Sequence, residues 1–111
     1  MSDEINDSIV VLMTAANAEE ANRIADLLVQ RKLAACVQIL PPMTSIYLWK
    51  GEVQRESEVL LLAKSNRAKF DELEREVRAI HSYETPEIIA MSIVAGSQAY
   101  LTWLALCLEG S

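Results

Sequence analysis

The 111-residue chain has one histidine, two cysteines, three glycines and three prolines, and each scarcity narrows the field. Cys36 and Cys107 stand far apart, without CxxC or CxxxC spacing. Nothing in them suggests a zinc framework, and in a reducing compartment both read as small buried hydrophobes. The paucity of glycine and proline, with no repetitive tract, argues against a disordered or low-complexity chain. Ten basic residues against sixteen acidic ones give a net charge of −6. That balance argues against non-specific nucleic-acid binding, which needs clustered Lys and Arg. No apolar run reaches the length of a membrane span. The opening "MSDEINDS" lacks the basic and apolar regions of a signal peptide, so the expected compartment is the cytoplasm, with no membrane partner.

What is present is 51% hydrophobic residues and clear periodicity, as in a single globular domain over residues 1–111 with residues 1–7 as a flexible tail. Ser8 to Ala15, "SIVVLMTA", reads as a buried strand. Asn17 caps a helix whose first turn carries Glu19 and Glu20, where the helix dipole favours acids. Ala21, Ile24, Ala25 and Leu28 make its buried face, and Arg31 and Lys32 close it. Ala34 to Leu48 reads extended, with Pro41-Pro42 marking a bend. "WKGE" at residues 49–52 supplies a hairpin turn, and the return strand runs from Val53 to about Lys64. Ser65 or Asn66 caps a second helix, with Phe70, Leu73, Val77 and Ile80 facing inward. Pro86 forces that helix to stop near His81. Glu87 to Ala95 forms a last strand, and Tyr100, Trp103, Leu104, Cys107 and Leu108 mark an amphipathic C-terminal helix.

This order is β-α-β-β-α-β plus a helix, which predicts an α+β, ferredoxin-like sandwich with a long hairpin. Such a fold covers one sheet face with two helices. Yet "SIVVLM", "VLLLA" and "IIAMSIV" are apolar at consecutive positions, so both faces look buried. The C-terminal helix, another subunit, or both must cover the second face. A homo-oligomer is expected, with Trp49 near the hairpin tip as an interface anchor.

The segment "HSYETPE", residues 81–87, gathers the chain's one histidine, two carboxylates and a tyrosine. His81 is a candidate metal ligand with oxygen donors from Glu84, Glu87 and Glu58, although one imidazole binds metal weakly. The alternative is a histidine at the surface or at a subunit interface. Glu84 and Glu87 lack the nucleophile or phosphate loop that would make them an acid/base pair, so no catalytic residue is assigned and no enzymatic activity is expected. Glu87 is expected to accept hydrogen bonds from backbone or from Lys64, which lies late in an apolar strand and needs a partner. Tyr47 and Tyr83 either line a cleft between subunits or pack with their hydroxyls satisfied.

Four segments, "LAACV" at 33–37, "SIYLWKGEV" at 45–53, "EVLLLAKS" at 58–65 and "HSYETPEII" at 81–89, resemble the CutA family of divalent-cation tolerance proteins. The resemblance runs from about Ile9 to Leu106 with matching order and spacing. It implies a tight homotrimer of ferredoxin-like subunits, an architecture like that of the PII signalling proteins, and an association with copper and other divalent cations. The copper site ascribed to some bacterial members, a first-strand cysteine and two adjacent histidines, falls here on Met13, Ile80 and His81. Met13 offers a thioether, and Ile80 offers nothing. The family's usual proline after the histidine is Ser82. The expected function is therefore a non-enzymatic trimeric tolerance protein that binds copper or another divalent cation weakly. Two rivals stand beside it: a PII-like small-molecule sensor with Tyr47, Lys64, Tyr83 and Glu87 at a cleft between subunits, and a scaffold for protein partners.

Overall fold

The computed structural model describes residues 7–110, a mixed α+β fold with one antiparallel sheet and three helices. Most of the tail expected at residues 1–7 lies outside the described residues. The central strand is β1 (Ser8–Ala15), flanked by the long β4 (Glu52–Asn66) and by β5 (Ile88–Ser92). On the far side of β4 lie β2 (Cys36–Ile39) and, further along the same strand, β3 (Met43–Trp49). The order across the sheet is β2–β4–β1–β5, every pair antiparallel. Where one long strand bent at Pro41-Pro42 is expected, the structure has two strands, broken between Ile39 and Met43, because Pro41 and Pro42 have no N–H for the ladder.

Alternation in β1 sends Ile9, Val11, Met13 and Ala15 to one face. There they meet Val59, Leu61 and Ala63 of β4, with α1 (Ala18–Gln30) and α2 (Phe70–Ile80) packed over them. Ala21, Ile24 and Leu28 of α1 and Leu73 and Val77 of α2 complete a core of fully buried side chains. At the end of α1, Lys32 adopts φ +56°, the left-handed position glycine usually takes. The N–H of Leu33 then donates back to the carbonyl of Leu28, and buried Leu33 seals the turn. Arg31 and Lys32 therefore lie just past the helix and not in its last turn.

Of the two caps expected for the second helix, the structure uses the later one. Asn66, not Ser65, accepts the N–H of Lys69, and the 3-10 turn Arg67–Lys69 leads into α2. Ser65 is buried and donates its hydroxyl to the carbonyl of Leu33. Ile80 faces outward, since the core stripe of α2 ends at Val77. Strand β5 ends at Ser92, three residues short of the expected Ala95.

The helix α3 (Gln98–Cys107) lies against β4 and β1, and its buried leucines stand outside the main core, so it covers part of the opposite sheet face. The residues facing in are Leu101, Leu104 and Leu108. Tyr100 and Trp103, expected inside, stack on each other at the surface. Ile89 and Met91 of β5, on that same face, remain about half exposed.

Residues 43–58 leave this body as an arm. Strands β3 and β4 pair from Met43↔Glu58 to Trp49↔Glu52. Lys50 and Gly51, at φ +52° and +81°, form the two-residue turn, matching the left-handed pair of a type I′ hairpin. The arm stretches the subunit to 48 × 25 × 23 Å.

Candidate functional site

Helix α1 starts where Asn17 accepts the N–H of Glu20. Glu20 stands four residues before Ile24, so it falls on the buried stripe and not on the solvent side. Its carboxylate is 2% exposed and satisfied by backbone: Oε1 accepts the N–H of Ala16 at 2.9 Å, and Oε2 accepts that of Ser82 at 2.6 Å. Burial pushes its pKa up, but those hydrogen bonds, one from the Ser82 hydroxyl and the nearby His81 outweigh it, leaving the carboxyl below its usual 4.5.

His81 ends α2 in extended geometry, which turns its side chain into the same buried space. Its Nε2 lies 2.8 Å from the carbonyl of Thr14, and its Nδ1 accepts the N–H of Tyr83 at 3.0 Å. Those two partners assign the Nε2–H tautomer. Glu20 Oε2 lies a further 3.7 Å from Nδ1. The ring of Tyr83 stands 4.8 Å from the imidazole, and its hydroxyl donates to Glu58 at 2.8 Å. Burial first, then that hydrogen bond and the negative charge of Glu58, Glu20 and Glu56, hold the phenol above its ordinary pKa. Tyr47 shares the arm face with Glu56 and Glu58 by strand alternation. Burial, with those two carboxylates, raises its pKa as well.

The proposed metal ligands do not form a chelate within one chain. Met13 is fully buried in the core, both His81 nitrogens are engaged with backbone groups, and Glu84 is exposed on the turn. Among the described residues no group of three His, Cys, Asp or Glu side chains is arranged to hold a metal ion. Of the cleft candidates, Tyr83 bonds to Glu58 at the arm's root, and Tyr47, paired with Gln54, lies on the same arm face toward the tip. Lys64 lies six residues past Glu58 along β4, about 20 Å at the usual rise per residue. It donates to Gln38 at 2.6 Å and not to Glu87. Glu87 is exposed just before β5, and Trp49 lies at the arm tip, 60% exposed, with Lys50 Nζ 5.8 Å from its ring centroid.

Sequence reasoning passed over Glu20 as a participant. The signal was there in Asn17-x-x-Glu20, the spacing of a capping box. In this helix the carboxylate reaches Ala16, one residue before the cap, and then a turn sixty-two residues away.

Residues 9–106 match the family model described as CutA1 divalent ion tolerance protein. The chain is 48% identical over 95 residues to the divalent-cation tolerance protein CutA of Thermus thermophilus, covering 86% of this chain and 92% of that one. It is 46% identical to the chloroplastic CutA protein of Arabidopsis thaliana, of which it spans 53%. Among solved structures, CutA1 from Oryza sativa superposes with a TM-score of 0.90 at 42% identity, covering 94% of this chain and 95% of that one. The periplasmic CutA of Archaeoglobus fulgidus gives 0.89 at 39% identity, covering 92% and 99%.

Proposed function

The chain belongs to the CutA1 divalent ion tolerance family, and from that premise we propose that it acts in divalent-cation tolerance as a non-enzymatic homotrimer that contacts copper or another divalent cation weakly. The observation that carries the assembly is exposed apolar surface in three places. Leu48, Trp49 and Val53 stand out on the arm, Ile89 and Met91 on β5, and Trp103 and Leu106 on α3. A lone subunit exposing all three at once would be prone to association, and a second and third copy would cover them. Sedimentation equilibrium at micromolar concentration should give three times the chain mass, and a monomer mass would refute the assembly.

Metal contact is weak in this reading for a physical reason. Glu84 is free to approach a cation, but His81 joins only by giving up Thr14 or Tyr83, and Met13 only by opening the core. Calorimetric titration with copper, comparing the intact protein with His81→Ala, tests the imidazole. Equal binding by both removes it as the principal ligand.

A second reading, a small-molecule sensor, draws support from Tyr83 bonded to Glu58 and from Tyr47 on the same arm face. It needs Lys64 or Glu87 from a neighbouring subunit to complete the cleft. The compartment proposed is the cytoplasm, where two free thiols suit a reducing environment. Among the described residues no helix is long and apolar enough to cross a membrane.

A further inference from the structure

The arm is held to the rest of the subunit by surprisingly few bonds. Strand β3 pairs with β4 alone, and its entry from β2 passes through Pro41 and Pro42, which donate no hydrogen bond. Core burial begins at Val59, so Glu58 is the last residue of the arm before β4 enters the body. Among the described residues, one side-chain hydrogen bond joins arm to body, and it is Tyr83 Oη to Glu58 Oε2.

Tyr83 is itself fixed from behind. Its N–H is accepted by His81, its ring lies against the imidazole, and His81 is anchored on the carbonyl of Thr14 at the end of β1. The residue between them, Ser82, gives its N–H to buried Glu20. The turn is thus tied to β1 and α1 before it reaches the arm.

We infer that residues 81–83 are a latch that sets the angle of the arm: Glu20 and His81 hold the turn rigid, and Tyr83 pins the arm at Glu58. His81 and Glu20 are positioning residues, and Tyr83 is the contact they position. The hinge lies at Met43 and Glu58, where a two-stranded ribbon leaves a packed sheet. A short hairpin of this kind is marginal alone, so a hydrogen bond at its root has leverage over a tip several residues away. For its consequence, the inference rests on the assembly reading, since an arm at the wrong angle would present Trp49 and Leu48 poorly to a neighbour.

The test is amide hydrogen exchange on the full-length protein, comparing wild type with Tyr83→Phe, Glu58→Leu and Glu58→Gln. Phenylalanine keeps the ring against His81 and removes only the donor. Glutamine keeps an acceptor and removes only the charge. The expected result is exchange in residues 43–58 faster by roughly threefold to tenfold in Y83F and E58L, the factor one net hydrogen bond supplies. Peptides from β1 and α1 should not change, and E58Q should track the wild type. Unchanged arm exchange in Y83F overturns the latch. E58Q as fast as E58L overturns it too, because charge and not the hydrogen bond would then be the tie. Sedimentation of the same wild-type sample reports assembly separately, so a monomer would remove the trimer while the exchange comparison still decides the latch.

Discussion

The body and the arm are built from one continuous strand, yet they are stabilised in opposite ways. From Val59 to Ser65, β4 alternates buried and half-buried residues between β1 and β2, under two helices. From Glu52 to Glu58 the same strand has one partner, β3, and the apolar side chains near its tip are open to water. The body carries its own packed core, although Ile89, Met91, Trp103 and Leu106 leave apolar surface open on its other side. The arm has no such core, and two strands without a covered face are seldom stable alone. The difference teaches that the hydrophobic pattern of a strand says that something will cover it, not that its own chain will.

The largest effect should come from opening the body. Leu61→Ala, at a fully buried position, should cost about 2–5 kcal/mol in chemical denaturation, because the packed core collapses only in part around the cavity. A loss below about 1 kcal/mol would mean the body is less tightly packed than its burial indicates. The matching change in the arm, Trp49→Ala, should barely affect the folding of a lone subunit. It should instead weaken association by about 2 kcal/mol or more if Trp49 is an interface anchor, read by sedimentation across a dilution series. An unchanged mass profile would break the contrast between the two regions.

Glu20→Gln tests the junction between them. The amide keeps one acceptor but cannot satisfy both Ala16 and Ser82 equally, so a loss of about 1–3 kcal/mol at neutral pH is expected. The pH dependence follows from the sign of the shift. The carboxyl's pKa is lowered on folding, so its contribution is complete above the unfolded value near 4.5 and fades as pH falls toward the lower folded value. Wild type and E20Q should therefore converge in stability as the solution is acidified below about 4.5. Curves that stay parallel would show that the carboxylate's charge is not what holds the turn. The smallest effect should be Arg78→Ala. It removes an exposed helical pair with Glu74, and about 0.3–0.5 kcal/mol is the usual size of such a loss.

Much of the fold was legible because it is local. Asn17 before two glutamates marked the start of α1, and Ala21, Ile24 and Leu28 marked its buried face. Lys50-Gly51 marked the hairpin, and Pro41-Pro42 marked a bend at the place where the structure separates β2 from β3. The misreadings are also physical. Ile80 and Trp103 carry the right spacing for a core stripe, but a helix ends or tilts away before the stripe does, and periodicity alone does not show where. In the candidate site, Tyr83 and Glu58 were each noticed, but not their bond, which joins residues twenty-five apart.

The sequence by itself determined the order of the helices and strands, the turn at the arm's tip and the excess of apolar strand positions. These follow from backbone preferences and hydrophobic spacing within a few residues. Only the tertiary structure decided what "HSYETPE" does. Whether His81 meets solvent, a metal or a carbonyl depends on Thr14, sixty-seven residues away, and on Glu20, which lies on another helix. Hydrogen bonds over such separations leave no period in the chain. They exist because folding brings the end of β1, the start of α1 and the end of α2 to one point, where each buried polar group must find a partner.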